Sequence, residues 1–259
     1  MQRDALPHQV ASKTMKVKTN RRPSGHFGRR RYLVMLVTYL LLSACSATTT
    51  SNVVTNPPSQ LQGATATGEK CSPPELLDCA GQDLRGKDFS NQFLGSVDFA
   101  GANLYAANFL NSDLSGSKFN GATLTGAIFS GSKLDYADFS DADLTRAEFI
   151  GAILRNAIFV GSNLGYEIKG DNIESVSFSN AVLDGADFSD AIGSYANFLS
   201  ATIRSANFSR AQLDHTWFAG AILIDANFDF ADLRNADFTD AFISQVDFEN
   251  ALLAGANLG

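Results

Sequence analysis

A five-residue repeat runs from residue 84 to residue 259 and limits the folds that this chain can adopt. One large apolar residue recurs every five positions, and a small residue, mostly Ala, stands two positions before it, as in the segments AGANLYAANFLNSDL and YADFSDADLTRAEF. An α-helix returns to the same face about every 3.6 residues and a β-strand about every two, so neither explains a period of five. A strict short period predicts a solenoid in which each unit packs on a copy of itself.

This repeat resembles that of the pentapeptide-repeat family over residues 81–259. The resemblance implies an all-β fold, a right-handed quadrilateral parallel β-helix in which four repeats make one square coil. The large central residue and the small residue before it are then expected to face inward, and the other three outward. With 36 central residues from Leu84 to Leu258, about nine coils are predicted. A densely filled interior leaves little room for a ligand, so no cofactor is expected.

The central residues alternate between Leu and Phe. On a square coil this alternation places Phe on two opposite faces and Leu on the other two, so that like residues stack in ladders. Gly193 stands in a Leu position, where we expect a thin spot in the core, covered by a neighbour such as Ile192 and able to accept Leu. Two neighbouring core ladders are predicted to begin with Leu84, Leu104, Leu124 and Leu144, and with Phe89, Phe109, Phe129 and Phe149.

The spacing is interrupted once, because Leu164 and Ile168 are four residues apart instead of five. If Ile168 and Ile173 each form an ordinary side, Phe178 falls in a Phe position and the alternation continues beyond it. The sequence therefore predicts a one-residue deletion within a continuous coil, with a bulge over residues 165–174. Such a bulge is either a tolerated defect or a binding feature, since disrupted ladders re-aim side chains.

Residues 1–44 have the pattern of an export signal. Three arginines at 29–31 precede an apolar run, 32–42, which is too short to span a bilayer as a helix. The run leads into Leu-Ser-Ala-Cys ending at Cys45, which resembles the bacterial lipobox. That resemblance implies that Cys45 is lipidated and becomes the mature N-terminus. An ordinary cleaved signal and an uncleaved anchor are the alternatives, and Met15 is a second candidate for the true start.

Residues 45–70 are rich in Thr, Ser, Asn, Pro and Gly and offer little apolar surface to bury. This composition predicts a disordered tether between the lipidated cysteine and the solenoid. The expected location is the cell envelope, with the chain held to the membrane through its lipid. Ser46 follows Cys45 where Asp would favour the inner membrane, which implies the outer membrane if the host has one.

Cys71 and Cys79 enclose a short segment, 71–80, that is expected to cap the first coil. The residues between the cysteines begin Ser-Pro-Pro-Glu, an order that favours the start of a helical turn. A disulfide between Cys71 and Cys79 is predicted in an oxidising compartment. The alternative is two thiols, one of which fills core space. No metal site is expected, because the array holds a single histidine.

The array carries no catalytic motif, since it lacks a nucleophile elbow, a Gly-rich phosphate loop and a paired-histidine metal motif. Asp214 and His215 are adjacent, but both occupy outward positions without a recognisable nucleophile. Tyr195 and Trp217 are also predicted to point outward. The sequence therefore predicts a non-enzymatic structural or protein-interaction scaffold, whose partner is an unidentified protein of the cell envelope.

The array is acidic, with 23 Asp and Glu against 10 Lys and Arg in residues 79–259. Asp or Asn before a central residue is expected to hydrogen-bond nearby backbone in the turns. Resemblance implies an alternative, since some pentapeptide-repeat proteins mimic double-stranded DNA and bind DNA gyrase, a cytoplasmic topoisomerase. A surface module for glycans or small molecules is a third hypothesis. Direct binding of nucleic acid is not expected, because both surfaces would be negative.

The last coil is expected to be open. Leu253 and Leu258 belong to its final layer. Exposed apolar side chains beside unpaired strand edges favour pairing with a second copy. A homodimer through the C-terminal coil is therefore predicted, and a truncated gene model is the alternative.

Overall fold

The computed structural model describes residues 78–259, which form a right-handed parallel β-helix with a square cross-section. Bridges join residues 20 positions apart, such as Asp78 with Asp98 and Phe93 with Asp113, and connect each side of a coil to the same side of the next. The predicted all-β fold is confirmed. The predicted leader, the tether and most of the cap segment lie outside the described residues, as do Cys45 and Cys71.

Most sides of the coil hold a single bridge, and five segments are long enough to form strands. Strands β1 (Tyr166–Lys169) and β2 (Asn172–Ser175) pair antiparallel. Strands β3 (Thr202–Arg204), β4 (Ile222–Ile224) and β5 (Phe242–Ser244) form a parallel sheet on one face, each lying one coil after the last. Strands stay short because the chain turns a corner after every side.

A residue with left-handed backbone makes each corner except the one after Leu164, where the chain enters β1. The second residue after a central residue has a positive φ, as in Ala106 at 53° and Arg146 at 60°. Gly, Asn, Asp and Ser recur at this position because they tolerate the conformation best. Backbone groups then bond along the rod: Phe89 N donates to Asn108 O at 2.7 Å, and Asn108 N donates to Lys87 O at 2.9 Å. The coil-to-coil bonds satisfy the backbone, so the outer faces present side chains.

The central residues fill the interior as four ladders, one on each face. We number the faces 1 to 4 from Leu84, so that Leu and Ile dominate faces 1 and 3 and Phe dominates faces 2 and 4. On face 2, the ring centroids of Phe129 and Phe149 are 4.8 Å apart and the rings are nearly parallel. Phe139 of face 4 meets both rings edge-on, at 5.6 and 5.5 Å. Both geometries are favourable for aromatic pairs. Eight ladder residues named from the sequence are at most 7% exposed: Leu84, Leu104, Leu124, Leu144, Phe89, Phe109, Phe129 and Phe149.

The interruption after Leu164 is an inserted hairpin, so the predicted one-residue deletion is wrong. Strands β1 and β2 lie outside the coil, and Ile168 and Ile173, expected as inward sides, are 64% and 39% exposed. The bridge between Glu148 and Ser177 joins residues 29 positions apart instead of 20, so this coil holds nine extra residues. The hairpin therefore projects between faces 1 and 2.

After the hairpin, each central residue lies two faces away from the face that a five-residue count through Ile168 and Ile173 assigns to it. Leu164 N donates to Ile192 O at 2.7 Å, which places Gly193 directly over Leu164 on face 1. The thin spot expected at Gly193 is closed by Leu164 from one coil and Leu213 from the next, both within 3.2 Å of where a Cβ would stand. Ile192 is exposed and does not cover it. The predicted room for a leucine at Gly193 is absent.

The two ends of the array differ in burial. Cys79 occupies a central position on face 4, is buried and is disulfide-bonded. Its predicted partner, Cys71, lies outside the described residues, so that pairing remains a prediction. In the last coil Phe248 and Leu253 are only partly buried and Leu258 is half exposed. The final layer therefore presents core-type side chains to solvent.

Candidate functional site

The hairpin β1–β2 is held against the preceding coil by Arg146. Arg146 lies at the corner between faces 1 and 2, and its side chain is 20% exposed. Its Nη1 donates to Glu174 Oε2 at 3.3 Å, and its Nε lies 2.9 Å from Glu167 Oε2. The Nε–H is not aimed at that oxygen and makes no hydrogen bond. The contact with Glu167 is therefore an ion pair only, and one arginine bridges both strands of the hairpin.

Lys169 completes this charged cluster. Its Nζ donates to Glu174 Oε2 at 2.6 Å. The hydrogen bond from Lys169, followed by that from Arg146, holds the pKa of Glu174 below its usual range, although burial acts in the opposite direction. Lys169, Glu167 and Glu174 are nearly half exposed, so solvent screens their charges. The cluster therefore fixes the position of the hairpin but contributes little to the free energy of folding.

Aromatic side chains contact the hairpin from the other direction. Tyr166 of β1 packs edge-on against Tyr195, with ring centroids 4.7 Å apart. Tyr195 stacks on His215 at 4.8 Å, and Trp217 lies edge-on to Tyr195 at 6.4 Å. Since Arg146 holds the hairpin from the preceding coil and Tyr195 from the following one, the hairpin is fixed between two coils.

A groove of about 570 Å³ lies between the hairpin and face 2. Its walls include Ile173 and Glu174 of β2, together with Arg146 and Ile150. At about 4.8 Å per coil, its floor extends about 19 Å along the rod. The floor consists of the residues that directly precede the central residues of face 2 in five successive coils: Ile128, Glu148, Ser177, Asn197 and Trp217.

Ser194, Asp214 and His215 are in contact, but not in the order that catalysis needs. Ser194 Oγ donates to Asp214 Oδ1 at 2.5 Å, and His215 Nδ1 lies 3.0 Å from Asp214 Oδ2. The carboxylate stands between the hydroxyl and the imidazole, whereas a serine nucleophile needs the imidazole next to its hydroxyl. This trio therefore joins neighbouring corners and does not activate Ser194.

The acidic residues of the array serve its turns, as the sequence predicts. Asp138 Oδ1 accepts a hydrogen bond from Ser140 N at 2.9 Å, and Asp88 Oδ1 accepts one from Ser90 N at 3.0 Å. The backbone bond from Ser90 is the main cause that lowers the pKa of Asp88. A carboxylate in this role stabilises a local turn. Much of the negative charge therefore has a structural reason that requires no acidic-surface partner.

Residues 78–259 contain neither a cluster of metal ligands nor a membrane-spanning helix. Within this range, no group of three or more His, Cys, Asp and Glu side chains is close enough to hold a metal ion. The same stretch contains no helix with the length and hydropathy of a membrane span.

Sequence reasoning placed Tyr195 and Trp217 on the outside, where the structure has them, but it missed the groove. The overlooked signal is the segment YEIK-GD-NIES, in which two short runs flank a Gly-Asp pair. Such a two-residue loop between strand-like runs is typical of a β-hairpin. The five-residue count obscured it, because Ile168 and Ile173 are themselves five residues apart.

Comparison with protein families gives one match. A model of pentapeptide repeats matches the chain in eight copies, within residues 94–131, 124–161, 172–210, 206–245 and 231–259. The matched ranges omit residues 162–171, which include β1. No curated protein matches the sequence.

Several solved structures are similar to the chain. HetL, a pentapeptide repeat protein involved in heterocyst differentiation regulation in the cyanobacterium Nostoc, is 22% identical over 68% of this chain and 89% of its own, with a TM-score of 0.43. A pentapeptide repeat protein of the Arabidopsis thaliana thylakoid lumen is 39% identical over 44% of this chain and 69% of its own, with a TM-score of 0.32. Full-length QnrB1, a plasmid-mediated fluoroquinolone resistance protein, is 21% identical over 68% of this chain and 90% of its own, with a TM-score of 0.39.

Proposed function

The chain belongs to the pentapeptide-repeat family, and we propose that it acts as an exported, lipid-anchored scaffold that binds a protein of the cell envelope without catalysing a reaction. The observation that carries this proposal is the hairpin β1–β2. It is the one antiparallel strand pair among the described residues and projects from an otherwise regular solenoid. Solenoids bind partners through extended surfaces and the loops inserted on them.

The contacts of the hairpin suit a recognition element. Arg146 and Tyr195 hold it from both sides, so its outer residues are presented in a defined position and less conformational entropy is lost on binding. Ile168, at 64% exposed, and Asp171 at the turn face solvent. An exposed aliphatic residue beside polar groups provides a small apolar anchor with a polar rim.

Removal of the hairpin should abolish partner binding while leaving the rod folded. Deleting the nine residues from Tyr166 to Glu174 leaves Leu164 and Phe178 five residues apart and places Ser175 at the corner. Serine already makes corners with positive φ at Ser96 and Ser200, so the repeat continues without strain. Affinity capture from envelope extracts, compared between this variant and the wild type, measures the effect. A partner retained equally by the deletion variant would show that the hairpin is not the binding element.

Export is proposed from the leader pattern that ends at Cys45. The disulfide at Cys79 supports it, because disulfides persist in oxidising compartments outside the cytosol. A cytoplasmic regulator that mimics DNA would not need either feature. The hydrogen bonds of Asp88 and Asp138 to turn backbone also weaken that alternative, because they explain acidity without a DNA-like role.

Lipidation of Cys45 predicts both the mass and the location of the mature protein. Mass spectrometry of the native protein should show that residues 1–44 are missing and that Cys45 is acylated. Cys45→Ala should leave the membrane fraction or accumulate unprocessed, because the lipid supplies the anchor. Ser46→Ala is the matched control and should remain in the membrane fraction. A native chain in the cytosol with residues 1–44 intact would contradict export and favour the topoisomerase alternative.

Self-association through the last coil is a further part of the proposal. Apolar side chains on the outside of the final two coils surround the open layer, among them Phe230, Phe242 and Leu252, each more than half exposed. Pairing with a second copy would bury this surface together with the open layer and would satisfy its strand edges.

Leu253→Asp combined with Leu258→Asp should convert a dimer to a monomer, because charged side chains in the open layer oppose burial. Sedimentation of the purified protein measures the change. Leu110→Asp, at an exposed position near the N-terminal end of the rod, is the matched control and should leave the dimer intact. A wild type that stays monomeric at tens of micromolar would refute this proposal.

A further inference from the structure

The geometry points to the groove between the hairpin and face 2 as a binding site for a linear, uncharged oligosaccharide. This inference goes beyond the scaffold function and does not depend on export. It rests on the free polar groups of the groove floor, on its single tryptophan and on its charge.

The floor presents polar groups that other described residues leave unpaired. Glu148 carboxylate makes no hydrogen bond or ion pair with any side chain of residues 78–259, and the indole N–H of Trp217 has no hydrogen-bond acceptor there. Asn197 Oδ1 accepts a hydrogen bond from Leu199 N at 2.9 Å, which leaves its amide N–H groups available. The floor thus offers one acceptor and two donors in line. Sugar hydroxyls both donate and accept, so one chain of sugars can satisfy all three groups.

The apolar surfaces of the groove fit the faces of sugar rings. Trp217 closes one end of the floor, and Ile128 lies at the other. Tyr195 lies edge-on to the indole at 6.4 Å, a contact that restricts the ring and reduces the entropy it loses on binding. The C–H face of a pyranose packs on an aromatic ring, and Ile150 and Ile173 extend this apolar surface along the walls.

The repeat of the floor favours a linear polymer. The outward side chains follow one another at the coil spacing of about 4.8 Å. A pyranose unit in an extended chain has a similar length, so that successive sugar rings meet successive coils. A volume of about 570 Å³ lies within the range of ligand sites.

The negative charge of the groove argues against nucleic acids as ligands, and the pairing of its backbone groups argues against peptides. Glu148 and Glu174 outnumber Arg146 in the groove, and the array around it is acidic, so nucleic acids and other polyanions are repelled. An extended peptide on the floor would need unpaired backbone groups for strand addition. Ser177 N is already bonded to Ala147 O at 3.0 Å and Ser177 O to Phe149 N at 2.7 Å. The floor therefore binds through its side chains.

The test uses the fluorescence of Trp217, which is the only tryptophan in the chain and so reports on the groove alone. We expect cellohexaose or chitohexaose to shift its emission to shorter wavelength and to saturate, whereas the monosaccharides glucose and N-acetylglucosamine bind at least tenfold more weakly. Calorimetry of the same binding should show that Trp217→Ala weakens it about fivefold or more. Glu148→Gln should weaken it about threefold to tenfold.

The matched control is Phe93→Ala, which removes an exposed aromatic residue on face 3, away from both the groove and the last coil. It should bind the hexaose with unchanged affinity, and a similar loss in this variant would refute the assignment. The inference is also overturned if neither hexaose changes the emission up to its solubility limit, or if Trp217→Ala binds as well as the wild type. Salt-sensitive binding of hexalysine without binding of either hexaose would overturn it as well, and would assign Glu148 and Glu174 to a cationic peptide.

Discussion

Replacing Phe139 by Ala should lower the free energy of unfolding by about 3–5 kcal/mol. Phe139 is fully buried in the middle of the rod. Its ring stacks on Phe119 at 4.8 Å and on Phe159 at 4.9 Å, and it meets the rings of face 2 edge-on. Truncation removes all these contacts at once. The neighbouring coils are tied together by backbone bonds at fixed spacing and cannot collapse into the cavity, so the loss should lie toward the upper end of the range.

Denaturant unfolding followed by circular dichroism measures this loss. Phe93→Ala is the matched control, because Phe93 is 84% exposed and its removal should change stability by no more than about 0.5 kcal/mol. Since coils contact only their neighbours, unfolding of a solenoid need not be two-state, and the two variants should be compared by midpoint as well as by extrapolated free energy. Equal effects of the two substitutions would contradict the ladder description of the core.

Replacing Gly193 by Leu should destabilise the protein by about 1–3 kcal/mol. A Cβ at this position would lie 3.1 Å from Leu164 Cδ1, 3.2 Å from Leu164 Cβ and 3.2 Å from Leu213 Cδ2. The two leucines already occupy the space that a third would need, so the larger side chain forces neighbours off their rotamers. Gly193 does not have a positive φ, so packing, not backbone conformation, sets the cost.

Thermal melting of two variants, Gly193→Ala and Gly193→Leu, distinguishes a packing cost from a backbone cost. Gly193→Ala should have a smaller effect than Gly193→Leu, because a methyl group requires shifts of only a few tenths of an ångström. If both substitutions are equally harmful, backbone conformation is the reason and the packing account fails. If Gly193→Leu raises the melting temperature, the placement of Gly193 between Leu164 and Leu213 is incorrect.

The hairpin and the groove are separable in experiment although they share residues. Deletion of Tyr166 to Glu174 removes both the proposed protein-binding element and one wall of the groove, and should abolish capture of a protein partner and weaken oligosaccharide binding together. Trp217→Ala changes the groove floor but keeps the hairpin and its contacts with Arg146 and Tyr195, and should leave protein capture unchanged. The two variants therefore distinguish a protein partner that binds the hairpin from an oligosaccharide that binds along face 2.

The repeat by itself determined that the chain is a solenoid, because a large apolar residue every five positions with a small residue two positions earlier suits neither a helix nor a flat strand. Its resemblance to pentapeptide repeats implied the square coil, in which both residues are buried at every side. Leu84, Phe89 and their successors up to Leu164 could be assigned to faces by counting alone. The outward direction of Tyr195 and Trp217 and the turn role of Asp138 follow from the same count. Each of these is a local property that the five-residue register decides.

Tertiary structure alone decided how the chain continues past Leu164. The Leu–Phe alternation repeats every two sides, so omitting two sides leaves it unchanged. A one-residue deletion with Ile168 and Ile173 inside the coil therefore predicts the same pattern as a hairpin with both outside. The coil-to-coil bond from Leu164 N to Ile192 O resolves this ambiguity, because stacking depends on distance along the rod axis, which a count along the chain does not measure. That bond places Gly193 over Leu164. The ion pairs of Arg146 with the hairpin and the groove beside Trp217 are likewise visible only in the tertiary structure.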